Sequence, residues 1–496
     1  MYYKGVADAH FVPLCPIVLT PRQWVEEQAE EQEADQHERV RRTHRLLGAA
    51  AHGAHLGSRT AGMGALITST LGVLASIPLV ARILFPRLTA RIRKLFGHVV
   101  SPPPRTRLRL ERNPECEPGS QNGQLGFSLD ELATQTEQLL RDIGLTRSFS
   151  RVVLITGHGS SSLNNPHKSA YDCGACGGSG GAPNARAAAA ALNDFRVRAR
   201  LAARGITIPE QTWFVGGYHN TCDDSVLLFD LDRVPETHRE ELTKIRAILE
   251  EVCARNAHER CRRFMSAPLT LTFEEARLHV ENRSEDLAQT RPELGHATNA
   301  ICHVGRRERT RGLFFDRRAF HAAYDPTQDD AQGTILSRTM AAVFPVCGGI
   351  NLEYFFSHID PAGYGCGTKL PHNITSLLGV MDGAISDLRT GLPTQMTEIH
   401  EPVRLLIICE TTPAIMRQVL QRNSLGRRLT ENEWVTLVVQ SPDSNDLLLY
   451  RNGAFHPYIP QTRSLPVAAS SVDWYRGWRD HLEFAEINPG ILNAHA

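Results

Sequence analysis

Histidine and cysteine meet in one glycine-rich stretch of this chain. Gly157-His158-Gly159-Ser160 leads through Asn164-Asn165-Pro166-His167 to Asp172-Cys173-Gly174-Ala175-Cys176-Gly177-Gly178. Imidazole nitrogen and thiolate sulfur are borderline-soft donors that suit a tetrahedral zinc ion. The surrounding glycines allow the close backbone approach that a ligand loop needs. His158 and Cys173 are therefore the candidate metal ligands. His167, Lys168 and Asp172 could orient a ligand through an outer hydrogen bond, or simply cap the loop. Cys173 and Cys176 form a Cys-x-x-Cys pair. The sequence holds no second such pair, which excludes a zinc ribbon and leaves a dithiol redox pair as a competing reading.

The elements that must position these residues read as a βαβ unit. Val152-Val153-Leu154-Ile155 has the β-branched look of a buried strand that stops at the Gly-His-Gly corner. Asn184 to Arg204 is alanine-rich and helical, ending at Gly205, and Thr212-Trp213-Phe214-Val215 is a second strand. Strand, helix, strand predicts parallel pairing with a right-handed crossover, and open α/β sheets place ligands at the carboxyl edge. His219, Cys222, Asp223 and Asp224 follow the second strand, so the two loops could converge. Cys222-x-Asp224 has ligand-like spacing.

Elsewhere, Ser128-Leu129-Asp130-Glu131 is a capping box opening a helix to about Leu145. Residues 23–47 look helical, with acidic residues leading and basic residues following, in accord with the helix dipole. A long helix is expected from Glu236 to Ala254. Arg404–Cys409 and Trp434–Gln440 read as buried strands, and Leu447–Tyr450 before Asn452-Gly453 as a hairpin. The run Gly363-Tyr364-Gly365-Cys366-Gly367-Thr368-Lys369 lacks P-loop spacing and a strand-to-helix context, so a nucleotide site is unsupported. There is no internal repeat. The expected organisation is a helical region over 1–100, a Pro-rich linker or surface loop over 101–127, an α/β core with the metal loop over 128–260, and a mixed α/β region over 261–496 packed on that core.

The 496 residues carry 54 basic and 54 acidic side chains, so no cationic excess points to nucleic acid. Charged residues make up 22% and apolar residues 42%, a globular balance. Eleven cysteines without framework spacing, and no apolar core after Met1-Tyr2-Tyr3-Lys4, suggest a reducing compartment. Ala61–Ala81 is uncharged but interrupted by glycine, serine, threonine and proline. It reads as a buried or peripheral helix ahead of a membrane span. The basic residues Arg82, Arg87, Arg91, Arg93 and Lys94 that follow could rest on anionic lipid or on water.

The combination of motifs resembles the inorganic-carbon transporter subunit DabA family. The likeness is carried by the His158–Gly178 loop together with Pro183-Asn184-Ala185-Arg186, His219-Asn220-Thr221, Arg291-Pro292-Glu293, Asn351-Leu352 and Gly367-Thr368-Lys369. It continues through His372-Asn373, Asp387-Leu388-Arg389-Thr390-Gly391-Leu392-Pro393 and His400-Glu401-Pro402, with Cys15-Pro16-Ile17-Val18-Leu19-Thr20-Pro21 near the start.

The resemblance implies a β-carbonic-anhydrase-like, mostly parallel sheet flanked by helices, with further mixed α+β elaborations. It also implies a peripheral place on the cytoplasmic face of the cell inner membrane, beside an ion-conducting (DabB-like) membrane subunit. Its chemistry would be zinc-dependent conversion of carbon dioxide to bicarbonate in an energy-coupled uptake complex. In the family, zinc is held by a Cys and an Asp of a Cys-x-Asp-x-Arg stretch, then by a His and a Cys that His158 and Cys173 match. No Cys-x-Asp-x-Arg occurs in this sequence. The expectation is a carboxy-terminal part of the family protein that needs another polypeptide for its remaining ligands. The alternative is a non-catalytic scaffold subunit with a vestigial half-site.

Overall fold

The computed structural model describes the chain except for residues 7, 9, 15–19, 31–33, 101–104, 162–171, 173–178, 287–288, 290–292, 294–297, 366–390, 393, 398–400, 461–463 and 491–496. The described residues form a mixed α/β protein with four sheets.

The sheet that carries His158 is small. Strands Val152–Gly159 and Trp213–Asn220 run parallel in register, Val152 opposite Trp213 and His158 opposite His219. Val226–Leu228 adds an antiparallel strand. The crossover is two helices, Ala182–Asn193 and Phe195–Ala203. Asp194 divides the single expected helix by capping the second with its side chain, which accepts from the Arg196 amide at 2.8 Å. Side chains alternate between two cores, as the pleat requires. Phe214 packs with Leu140, Leu192 and Leu201 on one face, and Val215 with Leu228, Val234 and Leu242 on the other. The helix Leu129–Asp142 begins at the Ser128 capping box, and its Leu132, Ala133 and Leu140 seal the first core.

The larger sheet has six strands. Ala319–Ala323, Ile301–Gly305, Leu406–Glu410 and Thr436–Gln440 lie side by side, all parallel, followed by the hairpin Leu447–Arg451 and Ala454–Tyr458. Asn452 and Gly453 both have positive φ (52° and 77°), the geometry of the tight turn the sequence announces. One face of this sheet packs on Leu336, Met340, Val343, Phe344 and Cys347. These residues come from Thr334–Ile359, the one helix among the described residues that is long and apolar enough to cross a membrane by length and composition.

The amino-terminal part departs from the expected helical region. Residues 24–29 form a strand, and the helix runs over Ala34–Gly57. Tyr2–Lys4, Val12–Pro13, Trp24–Ala29 and Thr106–Arg109 build a four-stranded sheet, so part of the presumed linker is paired strand. The acidic run that suggested a helix start is claimed by distant partners. Glu26 pairs with Lys4 at 2.9 Å, and Glu27 accepts from the Tyr3 hydroxyl at 2.9 Å and from Arg186 at 2.8 Å. Tertiary pairing of this kind overrides local propensity.

Beyond this sheet, Ala61–Ile67, Val73–Leu84 and Pro86–Val100 are helical, and their large apolar side chains lie outside the cores. Leu66, Leu74, Ile77, Leu84, Phe85, Leu88, Leu95 and Phe96 are all exposed, against the expectation of a buried helix.

Candidate functional site at the edge of the small sheet

The carboxyl ends of the two parallel strands gather the polar residues that follow them. The Thr221 amide donates to the Gly159 carbonyl at 2.8 Å, and the Ser161 amide donates to the Asn220 side chain at 3.0 Å. The two loops therefore converge, as the βαβ reading predicts. His158 is exposed at this edge, and in-register parallel pairing puts it on the same sheet face as His219.

His219 is held from behind. Its Nε2 lies 3.0 Å from Oδ1 of Asp224, and Arg260 and Asn256 of the helix Arg239–Cys261 both donate to the other carboxylate oxygen. Burial by itself pushes the Asp224 carboxyl up, but Arg260, the His219 contact and Arg317 outweigh it and hold the group at about 2. Asp224 has φ of 61°, and its own carbonyl accepts from the Cys253 thiol at 2.8 Å. An ionised, fully engaged carboxylate is well suited to orient His219. It is poorly placed to serve as the metal ligand that the Cys222-x-Asp224 spacing suggested. Cys222 is wholly buried, and burial drives its thiol well above the ordinary range, with the Glu293 charge acting the same way. A protonated, enclosed thiol is an inert one.

On the opposite face, the space above Gly159 is taken by Asp172 and Tyr218. A Cβ at 159 would sit 2.6 Å from Asp172 Oδ1 and 2.7 Å from the Tyr218 hydroxyl. Asp172 also accepts from the Ser160 amide at 3.0 Å, and the Ser160 hydroxyl donates to Glu293. Burial, then the Asp172 charge, pushes the Tyr218 hydroxyl up to about 12.

His158, Asp172, His219, Cys222, Asp223 and Asp224 thus share one edge of the sheet. Cys173, Cys176, His167 and Lys168 lie outside the described residues, so the His158–Cys173 pairing and the redox pair are expectations that the geometry leaves open. Among the described residues, no group of three or more His, Cys, Asp or Glu side chains is arranged to hold a metal ion. Sequence reasoning missed the His158–His219 adjacency, although the signal was present. Each histidine stands six residues after the first residue of its strand, Val152 or Trp213, and parallel strands in register bring equal offsets together.

Two parallel strands with polar residues collected at their carboxyl ends, in a mixed α/β protein, make this edge a candidate ligand site. The chain belongs to the family described as "Probable inorganic carbon transporter subunit DabA", whose model matches residues 1–435. It is 51% identical over 489 residues to probable inorganic carbon transporter subunit DabA 2 of Rhodopirellula baltica, covering 98% of this chain and 45% of that relative. It is 49% identical over 479 residues to the DabA 2 protein of Sorangium cellulosum, covering 96% and 46%. With the DabA protein of Azotobacter vinelandii it shares 39% identity over 484 residues, 97% of this chain and 55% of that protein. The chain thus spans about half the length of the curated relatives it matches. No solved structure matches it.

Proposed function

We propose that this chain works in an energy-coupled inorganic-carbon uptake complex, within which carbon dioxide is hydrated to bicarbonate at a zinc centre that includes His158 and Cys173. The observation that carries the reading is the position of His158, exposed at the carboxyl edge of a parallel sheet beside an orienting His219–Asp224–Arg260 chain. The residues present fit zinc in donor type. A neutral imidazole and a thiolate are preferred zinc ligands, and a catalytic centre takes about three protein ligands. Bound zinc would supply the Lewis acid that makes hydration possible at neutral pH. The chain's own part is to present the imidazole at a fixed strand end and to keep the neighbouring carboxylate, Asp224, ionised and occupied.

The remaining ligands have a natural point of entry. Val152–Gly159 is an edge strand of its sheet, with no strand on its outer side among the described residues. A further strand paired there would end next to His158, in the manner of a β-carbonic-anhydrase-like sheet. Zinc analysis tests this. The purified chain alone is expected to retain little zinc. Mixed with the amino-terminal half of the Rhodopirellula relative, it is expected to hold about one ion per complex and to lose most of it on His158→Ala. Zinc content indifferent to that substitution would remove His158 from the site and leave the scaffold reading in its place.

The exposed apolar helices favour a place at the cytoplasmic face of the inner membrane, against an ion-conducting subunit. Leu74 and Ile77 are 62% and 64% exposed, on a continuous run of helix with many like them, and apolar surface of this extent marks an interaction site. The double variant Leu74→Glu/Ile77→Glu is expected to keep the wild-type melting temperature within about 1–2 °C, since neither side chain is in a core, and to move from the membrane fraction to the soluble one. Unchanged co-sedimentation would place the docking surface elsewhere.

A further inference from the structure

The charges of this chain are unevenly spread. Between Glu38 and Glu111 there is no aspartate or glutamate, while twelve arginines and one lysine fall in the same stretch. The chain is neutral overall, so the remainder is acidic by the same amount. A block of one sign this long marks a surface that meets the opposite sign. In the fold the block takes in most of the helix Ala34–Gly57, then Ala61–Ile67, Val73–Leu84 and Pro86–Val100, and the strand Thr106–Arg109.

The same helices leave large apolar side chains in water at helical spacing. Val73, Ile77, Val80 and Leu84 follow one another at intervals of four, three and four, and each is more than half exposed. Leu88, Ile92 and Leu95 repeat the pattern on the next helix, with Phe85 and Phe96 also exposed. Such spacing puts the residues of each set on one face. The protein itself uses the opposite face of Pro86–Val100. There Ala90 is buried, and Arg87 pairs with Glu281 of the helix Phe273–Glu285 at 2.8 Å. Arg91 is exposed, borders the apolar stripe, and has no acidic partner among the described residues.

Charge and apolar stripe together select the partner. Nucleic acid would meet the cations but leave Leu88, Ile92 and Leu95 in water. A groove on a protein would take the stripe but has no use for a run emptied of acid over successive helices. An anionic lipid surface takes both. Its acyl chains receive the stripe, and its headgroup phosphates receive the cations at the stripe's border. Pro86–Val100 has 15 residues and carries Arg91 near its middle. It is too short to cross a bilayer, which takes about 20 apolar residues, and is suited to lie along the interface.

We propose that the helices Val73–Leu84 and Pro86–Val100 bind anionic phospholipid directly, with Leu88, Ile92, Leu95 and Phe96 at the boundary of headgroups and acyl chains and Arg91 on a lipid phosphate. The inference rests on the membrane placement proposed above and makes lipid, not the neighbouring subunit, what these helices touch; it does not depend on zinc. Co-sedimentation of the purified full chain with vesicles of phosphatidylcholine, with and without phosphatidylglycerol, tests it in the absence of any membrane protein. Binding about tenfold or more tighter to the phosphatidylglycerol vesicles is expected, and high salt should remove most of that advantage. Arg91→Glu should weaken binding to those vesicles about tenfold, whereas Arg200→Glu, the same change at an exposed position on Phe195–Ala203, leaves it unchanged. Leu95→Ser/Phe96→Ser should lose about tenfold or more, with the wild-type melting temperature kept because both side chains lie outside the cores. Equal binding to the two vesicle types, or affinity unaltered by Arg91→Glu, would overturn the proposal. So would failure to bind either vesicle by a chain that still sediments with native membranes, a result that leaves docking on a protein subunit intact. Failure on both vesicles and native membranes would remove the membrane placement as well.

Discussion

Arg260→Leu is expected to lower the stability of this protein by about 3–5 kcal/mol, the cost of stranding one member of a buried ion pair. Arg260 is 2% exposed and Asp224 is 7% exposed. Besides the carboxylate, the guanidinium serves the carbonyls of Thr221 at 3.2 Å and Cys222 at 3.0 Å, so one side chain ties the loop after Trp213–Asn220 to the helix Arg239–Cys261. Leucine fills some of the volume but supplies neither charge nor donors. The double variant Asp224→Asn/Arg260→Leu should lose less than Arg260→Leu alone, because no buried charge is then left without its partner. Urea unfolding of the three variants checks this, and a loss under about 1 kcal/mol for Arg260→Leu would show that the pair is not the anchor described above.

The same pair sets a pH dependence. The folded Asp224 carboxyl titrates at about 2, below the roughly 3.9 of an unfolded aspartate. Its stabilising contribution, on the order of 2 kcal/mol, is present in full above about pH 4–5 and disappears as the pH falls through the folded value. Because His219 leans on this carboxylate, acid should loosen the site edge in the same window.

Local signals point to true elements wherever the chemistry is local. The Ser128 capping box, the Asn452-Gly453 turn and the β-branched run before His158 each appear in the fold as read. The failures share a cause. Trp24–Ala29 looked like the acidic start of a helix because its partners, Lys4, Tyr3 and Arg186, are remote in the chain. The Asp224–Arg260 bond is likewise a product of helix packing, and no spacing rule announces it. In the candidate site, the sequence located His158 and the convergence of two loops. It misread Asp224 as a possible ligand, because a carboxylate's availability depends on cations brought to it by the fold.

Gly157→Ala tests whether strand and helix hold the His158 corner as one unit. The Gly181 amide donates to the His158 carbonyl at 2.7 Å, while the Gly181 carbonyl accepts from Asn184 at 3.1 Å and Ala185 at 3.2 Å, starting the helix Ala182–Asn193. A methyl group at 157 would fall on that carbonyl and lie 2.8 Å from the Ala182 nitrogen. These are backbone atoms committed to hydrogen bonds, so they cannot swing aside as a side chain would. The expected loss is about 2–3 kcal/mol, the upper range for overpacking. Gly217→Ala, one strand over, is the control. Its new methyl would meet Leu228 and Thr156 side chains at 3.1 Å and the Leu227 carbonyl oxygen at 3.2 Å, and is expected to cost less than about 1 kcal/mol, since side chains can repack. Because Gly157 precedes His158, its relief must come from moving the strand end itself. In the zinc complex proposed above, Gly157→Ala should therefore reduce metal retention while Gly217→Ala does not. Equal stability for the two variants would mean that helix and strand can slide past one another here, and that the imidazole is not fixed by the glycine contact.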